Sequence, residues 1–153
     1  MDRTMFPTTA AWDLWQFVAG EKLGEGIGRE VYEFSGDKSM VIKVESSGFQ
    51  NIKEWEIWNE MKHWKGKLAE PPKWLAPCIS ISTCGIYLVQ ERTYSIPKEE
   101  YPEKVPAFLL DRKYGNFGVI MKDGKRQFVC HDYGMQSLCN GVKMNLVNAE
   151  WTE

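Results

Sequence analysis

Five short stretches of the sequence carry residue types that bind phosphate, coordinate a metal ion or exchange a proton. Glycine has no Cβ atom, so backbone amides in a glycine-rich turn can approach a phosphate closely. Carboxylate and amide oxygens are the kind of ligand that Mg²⁺ prefers. Each stretch taken alone is also typical of a turn or an exposed surface. The stretches are LGEGIGREVY with Gly24, Gly26 and Gly28, MVIKV with Lys43, NIKEWEIWNEMKHWK with Glu54, Asp111–Asn116, and His131–Gly134.

The neighbouring residues in the sequence distinguish Lys43 and Glu54 from ordinary surface charges. Lys43 lies in an apolar, β-branched stretch, where it either alternates outward to solvent or reaches a phosphate near the glycines. Trp58 and Met61 follow Glu54 by four and seven residues, so on a helix they share its face. The other helix glutamates fit this pattern less well, which predicts that Glu54 turns inward.

The first half of the chain predicts a five-stranded antiparallel sheet with one helix. Residues 20–45 indicate three strands joined by hairpins, because β-branched and aromatic runs alternate with glycine-containing turns. Residues 51–65 change to helical spacing, with Asn51 as the predicted N-cap. The stretches CISIS and IYLVQE predict two further strands after this helix.

The second half predicts a smaller unit that begins after a proline-containing linker at 93–106. Glu103–Leu110 is a short helical candidate, and residues 111–116 form a loop. Asp123-Gly124 between two apolar runs is a strong hairpin signal. We therefore expect residues 1–92 to form one lobe, with a short N-terminal helix, and residues 93–153 to form a reduced second lobe.

Composition narrows the classes of function. The 153 residues suit one domain or a two-lobed one. Nineteen basic and twenty-one acidic residues give a net charge of -2, which argues against a nucleic-acid footprint. No apolar run is long enough to span a bilayer, and the N-terminal residues lack a secretory pattern, so we expect a cytoplasmic protein without a membrane partner. The four cysteines lack metal-ligand spacing, which predicts buried thiols.

The order of these stretches resembles the order of motifs in protein kinases. LGEGIGREVY resembles the kinase glycine loop, although its third glycine comes one position early. VIKV resembles the strand that carries the kinase lysine, LLDRKYGN resembles the catalytic loop, and DYG resembles the DFG motif. Leu109 and Leu110 stand where the catalytic loop of kinases has His and Arg. The resemblance covers Glu21 to Gly134.

This resemblance implies an α+β, protein-kinase-like fold, with a five-stranded N-lobe, one helix of the αC type and a strongly reduced C-lobe. It implies ATP and Mg²⁺ as ligands. Lys43 would touch the phosphates and pair with Glu54, Asp111 would accept or orient the proton of the attacking hydroxyl, and Lys113 would contact the transferred group. The further implied contacts are Gly24, Gly26, Gly28 and Val31 for the nucleotide, the backbone near Glu91 and Thr93 for adenine, and Asn116 and Asp132 for the metal.

The sequence differs from the kinase pattern in its second half, and these differences leave three functions open. Only nineteen residues follow Gly134, with no Ala-Pro-Glu motif and no room for the usual helices that dock a peptide. The chain is expected to be a minimal kinase acting on Ser/Thr hydroxyls of a host or partner protein, of a type that phage genomes or bacterial effectors carry. The alternatives are a kinase-like binding module that inhibits or recruits a partner, and a small-molecule kinase of the aminoglycoside type. Exposed aromatic residues and the 93–106 linker are candidates for a partner or homodimer surface.

Overall fold

The computed structural model describes residues 17–64, 70–134 and 145–153. Within them, the chain forms two compact units. One comprises the described residues of Met1–Glu56 and Pro77–Arg92, and the other those of Ile57–Ala76 and Thr93–Glu153. The helix expected before residue 17 lies outside the described residues. The elements of the described chain, in order, are β1 (Ala19–Gly26), β2 (Arg29–Phe34), β3 (Met40–Glu45), α1 (Phe49–Met61), β4 (Cys78–Ile81), β5 (Tyr87–Glu91), β6 (Lys104–Pro106), β7 (Phe117–Lys122), β8 (Lys125–Cys130) and β9 (Leu146–Asn148).

The first unit contains the expected five-stranded antiparallel sheet, in the order β1-β2-β3-β5-β4. Ile42 and Tyr87 are buried on one face of this sheet, where partly buried apolar side chains cover them. Lys43 pairs with Val31 across β2 and β3, so these two residues belong to the opposite face. The alternation of the strands therefore directs a lysine to the face that does not carry this apolar cluster.

The helix α1 begins at Phe49, two residues before the expected start, and Asn51 is not its N-cap. The carboxylate of Glu45, at the end of β3, accepts hydrogen bonds from the backbone N–H of Gln50 at 3.1 Å and of Asn51 at 3.0 Å. The Ser47 hydroxyl accepts one from Phe49 at 3.4 Å. The N–H groups in the first turn of a helix have no acceptor within the helix. The oxygens of Glu45 and Ser47 serve as their acceptors here.

Gly48 allows the chain to enter α1 at this point. Its φ of 68° is in the left-handed region. A Cβ atom added there would lie 2.6 Å from the carbonyl oxygen of Cys84, which is closer than two such atoms can approach. The start of the helix is thus packed directly against the turn between β4 and β5.

The second unit contains short strands. The hairpin predicted around Asp123-Gly124 is confirmed, since β7 and β8 pair in register on either side of this two-residue turn. The helix expected over Glu103–Leu110 is wrong, because β6 lies there and pairs with β9. The unit also includes the described residues of Ile57–Ala76, which the sequence pattern placed with the first half.

Two further expectations concern cysteine chemistry and the membrane. Cys78, Cys84 and Cys130 form no disulfide. Cys78 and Cys130 are buried as expected, Cys84 is only partly buried, and Cys139 lies outside the described residues. In the part of the chain that the structure describes, no helix has the length and apolar content needed to cross a bilayer.

We predict that the carboxylate of Glu45 makes a measurable contribution to stability. Glu45→Ala should lower the free energy of unfolding by about 1–3 kcal/mol, because it leaves helix N–H groups without an acceptor. Glu56→Ala is the matched control, since the Glu56 side chain is 62% exposed on the same helix and should change stability by less than about 0.5 kcal/mol. Urea unfolding measures both values, and equal effects of the two variants would contradict the capping role.

Candidate functional site

Lys43 of β3 and Glu54 of α1 form a buried ion pair. The Nζ atom of Lys43 lies 2.8 Å from Oε2 of Glu54, and the two side chains are 3% and 0% exposed. Glu54 faces inward on α1 together with Asn51, Ile57 and Met61, all of them buried. The inward orientation of Glu54 therefore agrees with the helical spacing of the sequence, and its contact with Lys43 is the pairing that the resemblance to kinases implies.

Arg29 is a second cation on the same carboxylate, and the sequence analysis did not identify it. Its Nη2 atom lies 2.8 Å from Oε1 of Glu54, and its side chain is 6% exposed. Its Nη1 atom also donates to Oδ1 of Asn51 at 3.4 Å. Strand alternation is the sequence signal that could have identified Arg29. Arg29 is two residues before Val31 and thus on the same sheet face as Lys43.

Asn51 ties α1 to the sheet beneath this ion group. Its side-chain amide nitrogen donates to the backbone carbonyls of Lys43, Gly85 and Ile86 at 2.9–3.1 Å. Asn51 is fully buried, so these bonds are made away from water, where an unpaired amide would be costly. Asn51, which the sequence pattern placed at the start of the helix, therefore holds α1 in the position from which Glu54 reaches the two cations.

The two cations decide the protonation of Glu54. Burial by itself raises the pKa of this carboxyl, but the positive charges of Lys43 and Arg29, and the hydrogen bonds that they donate, lower it to about 2. Glu54 is therefore ionised at neutral pH, and the three charged side chains together carry one net positive charge. The carboxylate of Glu45, which is opposite Arg29 in the pairing of β2 and β3 and is also buried, adds a negative charge on the same sheet face.

The glycine stretch forms the hairpin between β1 and β2. Gly24 pairs with Val31 and Gly26 pairs with Arg29, so Ile27 and Gly28 make a two-residue turn. The φ of Gly28 is 74°, in the left-handed region that glycine adopts without a steric cost. No atom lies within 4 Å of the position that a Cβ would take at any of the three glycines. The hairpin backbone is therefore open to an approaching ligand.

A pocket of about 370 Å³ lies beside this hairpin, but its chemistry does not suit a phosphate. Glu30 alternates with Arg29 in β2 and thus belongs to the opposite sheet face, where Lys22 pairs with both Glu25 and Glu30. Carboxylates in the wall of a pocket repel an anion. We therefore do not assign the pocket to nucleotide binding; its lining residues are Glu25, Gly26, Gly28, Arg29, Glu30, Val44 and Ser46.

In the second unit, Asp111, Lys113 and Asn116 lie together. The Asn116 side-chain nitrogen donates to Oδ2 of Asp111 at 2.9 Å. The Lys113 ammonium lies 3.6 Å from Oδ1 of Asp111, and these two side chains are 56% and 43% exposed. Because the amide nitrogen of Asn116 faces Asp111, its amide oxygen is the atom of that side chain suited to a cation.

His131 connects this loop with Thr93. Its Nε2 atom lies 2.9 Å from the carbonyl oxygen of Gly115, and its Nδ1 atom lies 2.7 Å from the Thr93 hydroxyl. A carbonyl oxygen only accepts, so the Nε2 atom carries a proton and donates it to Gly115. The Thr93 side chain is thus engaged within the second unit.

Glu91 and Asp132 complete the set of predicted site residues. The backbone N–H of Glu91 donates to the carbonyl of Pro77 at 2.9 Å, so this group is used within the first unit. Asp132 is half-buried, and the neighbouring Tyr133 is fully buried with its hydroxyl donating to the carbonyl of Ala76 at 2.7 Å. Across the described ranges there is no cluster of three or more His, Cys, Asp or Glu side chains suited to a metal.

Comparison with solved structures gives a distant likeness to a kinase domain. No protein-family profile matches the chain, and no curated protein is similar to it in sequence. A variant of the PknI kinase domain from Mycobacterium tuberculosis is similar in structure, with a TM-score of 0.40 and 13% sequence identity over 78% of this chain. The matched part spans 60% of that kinase domain. The likeness to a kinase domain is distant, and no residue role is taken from it.

We predict that acid destabilises the protein through Glu54. The pKa of this carboxyl is about 2 in the folded chain against an ordinary value of 4.5. A lowered pKa stabilises the fold above the ordinary value, and this contribution, roughly 3 kcal/mol, is lost as pH falls from about 5 to 2. Urea unfolding between pH 7 and 3 should show roughly two thirds of this loss for the wild type and a smaller loss for Glu54→Gln. An unchanged pH dependence in a folded Glu54→Gln variant would contradict the assignment.

We also predict that Arg29 stabilises the fold more than an arginine in a partly buried ion pair does. Arg29→Met keeps the apolar stem but removes a buried charge, and it should lower the free energy of unfolding by about 1–4 kcal/mol. Arg92→Met is the control, since its pair with Glu33 in the same unit is 22% and 18% exposed, so solvent screens this pair more than it screens the Arg29 pair, and the loss of unfolding free energy should be smaller. Thermal or urea unfolding compares the two, and a larger loss for Arg92→Met would be evidence against a structural role for Arg29.

Proposed function

We propose that the chain is an ATP- and Mg²⁺-dependent phosphotransferase that acts on Ser/Thr hydroxyls of a partner protein. The observation that carries this proposal is the buried group of Lys43, Arg29 and Glu54 behind the glycine hairpin. Taking three charges out of water costs several kcal/mol per ion, and a buried ion group is weak evidence for a gain in stability. Binding of an anion such as a phosphate gives this arrangement a function.

The proposed roles in the first unit follow from residue chemistry. Backbone amides of Gly24, Gly26 and Gly28 approach the phosphates, and Val31 packs against the nucleotide. The ammonium of Lys43 binds the phosphates, while Glu54 holds its side chain in one direction. Adenine recognition falls to backbone groups near Glu91 and Thr93 other than the Glu91 N–H, which already has an acceptor.

The proposed roles in the second unit concern the proton and the metal. Asp111 accepts the proton of the attacking hydroxyl, and Lys113 contacts the transferred group. Asn116 and Asp132 offer oxygen donors, which fit Mg²⁺ because this ion is commonly bound by one or two side-chain ligands together with phosphate oxygens and water. Magnesium would neutralise charge on the phosphates. The exposure of Asp111 and Lys113 suits an acceptor hydroxyl that belongs to another protein.

The decisive experiment is transfer of labelled phosphate from ATP to proteins of a cell extract, in the presence of Mg²⁺. Lys43→Met, Asp111→Asn and Asp132→Asn should each lower the transfer by roughly 100-fold or more, because each removes a charge aimed at the reacting groups. Lys53→Met is the matched control for lysine, since Lys53 is half-exposed on α1 and should leave the rate unchanged.

Calorimetry separates this function from its alternative. The wild type should bind ATP with a dissociation constant in the roughly micromolar-to-millimolar range, and Asp132→Asn should remove the dependence on Mg²⁺. Binding without transfer would favour a nucleotide-binding module that recruits or inhibits a partner. Absence of both binding and transfer would refute the phosphotransferase and leave the nucleotide-free binding module.

A further inference from the structure

Residues 145–153, here called the C-terminal segment, make backbone hydrogen bonds on both sides of Lys113. The N–H of Tyr114 donates to the carbonyl of Thr152 at 3.0 Å, and the N–H of Thr152 donates to the carbonyl of Arg112 at 3.1 Å. This is a parallel bridge between Lys113 and Thr152. The peptide groups before and after Lys113 are therefore both fixed by Thr152.

The ring of Trp151 supports the same loop from one side. It packs against four aromatic rings with centroid separations of 4.9–5.9 Å. Its Nε1 atom donates to the carbonyl of Pro102 at 2.9 Å, which fixes the direction of the indole. The Tyr101 hydroxyl in turn donates to the carbonyl of Tyr114 at 2.9 Å. The four rings are those of Tyr101, Tyr114, Phe117 and Phe128.

The C-terminal segment also holds the chain that precedes Asp111. Strand β9 pairs with β6, and the N–H of Ala107 donates to the carbonyl of Asn145 at 2.9 Å. The Arg112 side chain bonds the carbonyls of Leu109 at 2.8 Å and Asn148 at 3.3 Å. Contacts therefore reach the chain both before and after Asp111, although the side chains of Asp111 and Lys113 themselves stay half-exposed.

We propose that Trp151 and Thr152 are positioning residues that set the geometry of Asp111 and Lys113. This inference rests on the proposed function for its catalytic consequence. Neither residue would touch the substrate; both act through the backbone of residues 112–114. A shift of about 1 Å in a reacting group can cost roughly 100-fold in rate, so loosening this loop lowers turnover without removing a reacting group.

Two pairs of variants test the proposal. Trp151→Ala removes the packing, whereas Trp151→Phe keeps an aromatic ring and should restore part of the rate. Thr152→Pro removes the N–H that donates to Arg112, whereas Thr152→Ala keeps it and should behave as the wild type. Trp151→Ala and Thr152→Pro should lower kcat by about 10-fold to 100-fold and change the KM for ATP by less than about 3-fold.

Amide hydrogen exchange at residues 111–116 provides a readout that does not need activity. Trp151→Ala and Thr152→Pro should raise exchange at Tyr114 by about 10-fold or more, while strand β7 keeps wild-type protection. Wild-type exchange and turnover in both variants would overturn the proposal, as would loss of protection throughout the second unit, which indicates unfolding. If the wild type transfers no phosphate, the proposed function fails, and exchange at Tyr114 alone then decides whether the C-terminal segment positions this loop.

Discussion

The carboxylate of Glu54, held between Lys43 and Arg29, is the contact on which the first unit depends. Each of its oxygens lies 2.8 Å from one cation, and the three charged residues come from the strand β3, the start of β2 and the helix α1. Separating them would leave a charge buried without a partner, which typically costs 3–5 kcal/mol. The contact therefore couples the glycine hairpin to the helix, on the sheet face to which strand alternation directs both cations.

The polar supports around this contact explain why the helix takes its observed position. Glu45 supplies oxygens to the first N–H groups of α1, and Asn51 bonds carbonyls of the sheet and of the turn before β5. Both side chains are buried, so each bond replaces one that water would otherwise make. Directional hydrogen bonds as well as apolar packing therefore fix the helix. This fixed position keeps the Glu54 side chain directed toward Lys43 and Arg29.

The second unit holds its candidate loop by a different means. Where the structure describes it, this unit has short strands and tight turns beyond residue 93, with no α-helix. Its loop at 111–116 is held by aromatic packing and by backbone bonds from the C-terminal segment, and each aromatic pair contributes about 0.5–1.5 kcal/mol beyond its buried area.

The activity, the substrate and the origin in a phage or an effector remain predictions.

The sequence by itself determined the elements whose signals are local. β-branched runs predicted β2 and β3, the turn Asp123-Gly124 predicted the second hairpin, and helical spacing predicted that Glu54 faces inward. Only the tertiary structure decided that Arg29 is the second partner of Glu54, that Glu45 caps α1, and that Lys104–Pro106 is a strand. Each of these depends on a partner distant in the sequence, such as Leu146–Asn148 for β6. Local propensity carries no information about such a partner, because the energy that selects the conformation arises only when the two segments meet.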